Sequence, residues 1–386
     1  MMEENIHHAT ARQNEHIPFM EPSLMLAEME HRGYFVLPLA GPLVPSRDEM
    51  FEQFRVFDGL PVSDKEVFSL TPDAIGENNG WHGAGGLSRY NQCREGVIFQ
   101  ASSEVWPMLS KDVSAPADDF SIAHQRFREH AHALASSIME GLASVLELPD
   151  PSNFFTANGP LDIIQGSQFH VKKVMLSEYE DVGALHKTRE DERYITLRAH
   201  RDPSVISIVF LKCKSSENAL GMGLQFKGHN DMGFVDLVTE NNILGETGEY
   251  CVVIAGSILE LLSEGMMYIR YFKVIMLYKL KILFCQPGGI KAPLHRVVST
   301  EPELRAADRL AATFFFQPNL DCLMVPFPTN EKVNAVNHND EDTGNRNNGR
   351  TSSDRNKPKT KQDKKYIPIT YGKWKSRAYG SYYKGK

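Results

Sequence analysis

From residue 163 onward the chain is a succession of short runs rich in β-branched and aromatic residues, and this texture limits the possible folds more than any other feature. The runs are Ile163–Ile164, Phe169–Leu176, Tyr194–Leu197, Val205–Leu211, Leu224–Phe226, Phe234–Leu237, Tyr250–Ile254 and Leu310–Phe316. Turn-forming clusters such as Gly228–Asp231 and Gly245–Gly248 separate them. Closely spaced short strands fit a sandwich or barrel and disfavour alternating β-α units. The earlier part of the chain reads differently. Glu21–His31 and Arg47–Phe57 suit helices, with a strand-like run at Tyr34–Leu37 between them. Across Asp119–Leu148, Phe120, Phe127, Leu134, Ile138, Leu142, Val145 and Leu146 recur at helical spacing, and Pro149 closes the run. The other side of that helix carries His124, Arg126, Arg128, Glu129, His130 and His132, which reads as a solvated face rather than a metal site. The Gly- and Asn-rich stretch Gly76–Gly86 reads as a loop. The expected fold class is mainly β, with helices of residues 21–150 packed against a β-rich core at 151–328.

Composition removes several function classes. The chain has 386 residues, 41% hydrophobic and 24% charged, which is ample for a sizeable core. A formal net charge of −7 argues against a nucleic-acid-binding surface, which normally needs a basic excess. The five cysteines are odd in number, scattered and without a C-x-x-C pair. A disulfide framework or zinc-thiolate site is therefore not expected, and a reducing, cytoplasmic setting is. Residues 1–20 form a polar, flexible N-terminus without the apolar centre of a signal peptide. The apolar stretch Met266–Phe284 carries Arg270, Lys273, Lys279 and Lys281, too many internal charges for a membrane span. Residues 329–365 are almost devoid of aliphatic side chains and read as a disordered polar linker, with the basic run Arg355–Lys365 solvated rather than a nuclear-targeting signal. At 366–386, Ile367, Ile369, Tyr371, Trp374 and Tyr379 supply anchors for a C-terminal segment that packs on the core.

The chemistry concentrates in Leu197–Ser204. On an extended strand, residues two apart share a side, so His200 and Asp202 can point an imidazole and a carboxylate at one ion. A second imidazole must converge from elsewhere, and His295, in a strand-like context, is the candidate. Two histidines and one carboxylate leave coordination positions open, which suits ferrous iron, Fe(2+), that must also bind O2. Zinc favours a closed, often thiolate-bearing tetrahedron, which this chain does not offer. Other signals are weaker. Gly221-Met222-Gly223 lacks the third glycine of a dinucleotide loop. Tyr90–Glu95 reads as a surface strand, with substrate-pocket lining by Tyr90, Asn91 and Arg94 as the alternative. Cys213 and Cys251 read as buried small hydrophobes. No G-x-S-x-G elbow or P-loop is present.

Taken in order, Ala199–Asp202, Gly223–Gln225, Phe234–Leu237, Ala292–Val297 and Arg309–Pro318 resemble the isopenicillin N synthase-like family of iron(II)/2-oxoglutarate-dependent dioxygenases. Gly33–Val36 and Thr370–Gly372 add to the likeness. The resemblance implies a double-stranded β-helix (jelly-roll) core with iron on His200, Asp202 and His295. It implies Arg309 as the partner of the distal carboxylate of 2-oxoglutarate, a role its planar donor fork suits. The implied reaction hydroxylates or desaturates a small organic molecule, while the keto acid is decarboxylated to succinate. Two departures stand out. The family usually places a serine two residues after the arginine; here it is Ala311, with Thr313 a substitute donor on the same strand. Second, Gly256–Gly265 resembles the family's strand and turn before the distal histidine, yet residues 266–289 then intervene, as an insertion or a translated intron. Two alternatives follow: a same-fold iron oxidase that uses no 2-oxoglutarate, or a catalytically impaired homologue whose His295 is displaced. Substrate identity and oligomeric state are not legible.

Overall fold

The computed structural model describes residues 20–69, 80–83, 94–100, 115–155, 167–175, 187–188, 193–212, 223–228, 233–237, 249–263, 289–306, 309–324 and 369–383. Residues 1–19, Tyr90, Asn91, Ile163–Ile164, Cys213, residues 264–288 and the expected linker lie outside them. In chain order the elements are α1 (Pro22–His31), β1 (Tyr34–Pro38), α2 (Leu43–Asp58), α3 (Val62–Glu66), β2 (Gly80–His82), β3 (Arg94–Gln100) and α4 (Ala115–Val145). The strands β4 (Gln168–Val174), β5 (Tyr194–His200), β6 (Ile206–Lys212), β7 (Leu224–Lys227), β8 (Phe234–Asp236) and β9 (Tyr250–Ala255) follow. After them come α5 (Ser257–Ser263), β10 (His295–Ser299), α6 (Glu301–Ala306), β11 (Arg309–Phe316), β12 (Leu323–Met324), β13 (Ile369–Thr370) and α7 (Tyr371–Tyr383).

The strands form a seven-stranded sheet in the order β1-β9-β6-β11-β4-β3-β2 and a four-stranded sheet in the order β5-β10-β7-β8. Every pairing within them is antiparallel. The two sheets face one another: Tyr34 stacks on Phe226 at 3.8 Å between ring centroids, and Val252 and Ile254 join Leu224 and Val297 in one apolar cluster. This is the jelly-roll arrangement that the run of short strands anticipates.

The outer face of the larger sheet carries the main core. Because strand residues alternate sides, Phe169 and Val171 of β4, Leu310, Ala312 and Phe314 of β11, and Ile208 and Phe210 of β6 all point outward. The apolar stripe of α4 covers them. Phe127 sits edge-on to both Phe169 and Phe210, with centroids 5.6 and 4.8 Å away. Helices α1 and α2 pack on the opposite flank of α4. Cys251 of β9 is fully buried and its thiol is pushed up to about 12 by burial, in keeping with a small hydrophobe rather than a nucleophile. Among the described residues, no helix is long and apolar enough to cross a membrane.

Three expectations need correction. The Gly76–Gly86 stretch contains β2, whose Gly80–His82 pairs with Gly96–Ile98 and caps the edge of the large sheet. Over the described residues 256–263 there is no strand: Ser257–Ser263 form α5, because Ile258, Leu259 and Leu262 bury at helical spacing. His124 is not on a solvated face. It is buried against Phe99 and Phe169, at 3.9 and 4.9 Å between centroids.

Burial holds the His124 imidazole well below its ordinary value of 6.5, with Arg128 adding to the effect. A histidine neutral in the folded state but protonated in the unfolded state withdraws stability as pH falls through the unfolded value. Unfolding free energy should therefore drop as pH is lowered from about 7 to about 5. His124→Phe, which keeps the ring and removes the proton site, should flatten that limb by up to about 1.4 kcal/mol per pH unit. Urea titrations at several pH values check this; an unchanged slope in the variant counts against it.

Candidate metal centre

His200 is the last residue of β5 and His295 the first of β10, and the two are direct cross-strand partners. Asp202 lies two residues beyond β5 in the turn that leads to β6. Their ligand atoms, one from each side chain, all lie within 4.8 Å of one another. His200 Nε2 is 3.4 Å and His295 Nε2 is 3.7 Å from Asp202 Oδ1, and the imidazole centroids are 4.3 Å apart.

The orientation of each ring is set by its other nitrogen. His200 Nδ1 donates to the carbonyl of Arg198 at 2.8 Å, and His295 Nδ1 donates to that of Pro293 at 3.1 Å. A ring that donates through Nδ1 turns its Nε2 lone pair to the shared point, the tautomer a metal ligand needs. Burial pushes the His295 imidazole down to about 4 despite the adjacent Asp202 carboxylate. Burial alone would raise Asp202, but the two histidines, and a hydrogen bond from Ser207, hold it below the usual carboxylate range. The triad thus offers a carboxylate and a buried neutral imidazole, His295, with His200 Nε2 turned to the same point. With the histidine nitrogens 3.4 and 3.7 Å from Asp202 Oδ1 and all three ligand atoms within 4.8 Å of one another, the three could close on a single ion.

The backbone around Asp202 is pinned on three sides. Ser257 N donates to Asp202 O at 2.7 Å, Gly256 N to Val205 O at 2.9 Å and Ile258 N to Ser204 O at 3.1 Å. The Tyr371 hydroxyl, at the start of α7, donates to Pro203 O at 2.9 Å. Arg201, between the two neighbouring candidate ligands, reaches across to the third: its Nε donates to Ala292 O at 2.8 Å. Ala292 N in turn donates to Glu260 Oε2 at 3.1 Å. The described residues on either side of the interval 264–288 are therefore tied to each other and to Arg201, close to the cross-strand pair of His295 and His200.

Arg309 opens β11, buried, with Nη1 donating to Val298 O at 3.3 Å and to Ser299 Oγ at 3.4 Å. Thr313 and Ala311 follow on the same face of that strand, Thr313 half-buried opposite His170 and Ala311 opposite Lys172. Ser299 escaped the sequence reading: it brings a buried hydroxyl to Arg309 from β10, whereas the position on β11 where the resemblance leads one to expect a serine holds Ala311. Arg94, considered for pocket lining, begins β3 on the inner face; Tyr90 and Asn91 lie outside the described residues.

Three further inward-facing side chains were also missed. His82, Lys172 and His170 share the inner face with Arg94, since His82 pairs across Gly96 to Lys172, and Ile98 pairs with His170. The signal was present in β4 as Phe169-His170-Val171-Lys172, a strict alternation with one face apolar and the other basic.

At the level of sequence, no family model and no curated protein matches the chain. Solved structures do. Full-length T7H of Neurospora crassa, in complex with α-ketoglutarate and 5-formyluracil, matches with a TM-score of 0.58 at 16% identity, covering 93% of this chain and 89% of that one. A putative 2OG-Fe(II) oxygenase family protein from Caulobacter crescentus gives 0.58 at 14%, covering 94% and 93%. The rice dioxygenase for auxin oxidation gives 0.54 at 14%, covering 95% and 96%. The chain therefore has the fold of the 2-oxoglutarate–iron(II) oxygenases.

A Cβ on Gly256 would stand 1.9 Å from Ser204 O, so Gly256→Ala must displace the turn that carries Asp202. The expected cost is about 1–3 kcal/mol, read as a lower urea midpoint, and an unshifted midpoint would show that the turn yields freely.

Proposed function

We propose that the protein is an iron(II)- and 2-oxoglutarate-dependent oxygenase that hydroxylates or desaturates a small organic molecule. The observation that carries this reading is the convergence of two imidazoles, their Nδ1 protons held by backbone carbonyls, with one ionised carboxylate inside a jelly roll. His200, Asp202 and His295 would hold ferrous iron on one side and leave the other open. When bound, the metal and the keto acid supply the oxidising power, and the protein supplies placement and a dry wall. The relatives in fold add support: the Neurospora protein was crystallised with the keto acid, and with a pyrimidine base in the same crystal.

Arg309 is positioned for a distal carboxylate. It lies on the interior face of β11, and Ser299 Oγ beside it offers a second hydroxyl-type partner, with Thr313 further along the strand. This arrangement offsets the missing side-chain oxygen at Ala311. The ties from Arg201 and Glu260 to Ala292 keep His295 in register, which disfavours the impaired-homologue alternative.

Anaerobic iron(II) binding followed by succinate release from 2-oxoglutarate tests the reading. Wild type should bind one metal per chain and form succinate, and His200→Ala and Asp202→Ala should each abolish both. Succinate formation that survives both substitutions sinks the assignment; iron-dependent turnover with no keto acid at all transfers it to the oxidase alternative. Arg309→Ala should raise the KM for 2-oxoglutarate at least about tenfold, the scale of one lost hydrogen bond to a charged group.

A further inference from the structure

The large sheet treats the charges on its two faces differently. On the outer face each buried charge is matched. Lys65 Nζ donates to Glu95 Oε1 at 2.6 Å, Trp81 Nε1 donates to the same oxygen at 3.0 Å, and Lys173 Nζ donates to Asp58 Oδ2 at 2.6 Å. One residue along the same strands, and therefore on the inner face, stand Arg94 and Lys172, and no carboxylate among the described residues touches either. The Lys172 ammonium is buried and its hydrogen-bond partner is a neutral imidazole, His82 Nε2. Among the described residues the Arg94 guanidinium has no side-chain hydrogen-bond or ion-pair partner, and its Nε is buried without one.

Nor is this an accident of crowding. Gly96 lies between His82 and Lys172 in the sheet, and a Cβ there would stand 3.0 Å from Lys172 Cδ and 2.1 Å from Val171 O. The missing side chain lets the lysine stem lie flat over β3 and carry its ammonium to His82, away from Ala311 and the Arg309 end of β11. Burial, with Arg94 alongside, drives Lys172 well below its ordinary value, and burial brings Arg94 down to about 10. Two neighbouring cations on one sheet face with no carboxylate in contact are costly. The anion that acts on Arg94 is Asp202, one of the candidate metal ligands, so the cluster lies within electrostatic reach of the candidate metal centre.

We infer that Lys172 and Arg94, supported by His82, bind a carboxylate of the primary substrate, so that the enzyme acts on an organic acid. The inference rests on the oxygenase reading for what happens to that acid, but the binding site stands on its own residues. A carboxylate suits the site in number and shape: one negative charge, one oxygen for the ammonium and one edge for the planar guanidinium fork. The walls beside it, Ile98, Ala311 and Leu211, are apolar and suit a hydrocarbon body.

Isothermal titration with matched pairs tests this, using phenylacetate against methyl phenylacetate and hexanoate against methyl hexanoate. The titrations are run on the iron-loaded, 2-oxoglutarate-saturated protein without oxygen, and repeated on the metal-free protein. At least one acid should bind about tenfold or more tightly than its ester, the equivalent of about 1.4 kcal/mol. Lys172→Met should erase that preference and Lys172→Arg should retain it. Because the methionine variant removes a buried charge that has no counter-ion, it should unfold at the same or a higher temperature, so loss of binding is not loss of fold. Esters that bind as well as acids, acids that fail to bind, or a preference that survives Lys172→Met would each overturn the inference. So would a Lys172→Met protein whose KM for 2-oxoglutarate rises while its acid affinity holds, since the cluster would then serve the cosubstrate. Absence of succinate from wild type would sink the oxygenase reading alone; the acid-over-ester ratio on the metal-free protein would still decide the cluster.

Discussion

A strand sends successive side chains to opposite faces, and in the seven-stranded sheet this constraint sets an aromatic core and a charged cavity one backbone apart. Phe169 and Val171 point to α4; His170 and Lys172, between and beside them, lie on the inner face. Neither face is independent of the other. Around Lys172 and His82 the inner face is polar and adds little by burial, so the Phe127 cluster on the outer side holds that part of the sheet for both faces. A one-residue slip of β4 would place a lysine against α4 and a phenylalanine in the cavity, which is why the register is so strongly specified.

The fold was legible because its signals are local. Seven of the strand runs and the long helix follow from periodicity and residue type alone, and the described structure differs from them mainly at their ends. What stayed hidden depends on contacts far apart in sequence. His124 sits in a polar-looking register of α4, and only Phe99 and Phe169, from two strands, make its environment apolar. β2 was hidden by its glycines, because Gly80 and Gly83 suggest a turn while the pairing with β3 overrides that preference. His200, Asp202 and His295 were found by motif, whereas Lys172 and Ser299 were missed because an isolated lysine or serine in a strand carries no pattern of its own.

The interval between Glu260 and Ala292 shows how a chain tolerates a long departure without disturbing a site. Loop-closure cost grows only with the logarithm of length, so the stability of the centre depends far more on how the ends are joined than on how many residues separate them. Here the join is a backbone N–H on a buried-edge carboxylate, extended by the Arg201 guanidinium to the other side of the triad. One residue between the two candidate ligands of the H-x-D pair thus ties down the segment that carries the third.

The bond from Tyr371 to Pro203 spans 168 positions of the chain. During synthesis every side chain proposed to hold the metal emerges well before that tyrosine does, and the turn bearing Asp202 meanwhile lacks one of its fasteners. Maturation of the centre is in this sense a late event: a nascent chain that already carries the whole triad has yet to receive the hydroxyl that secures it, and premature loading with metal would meet a looser turn than the finished protein presents.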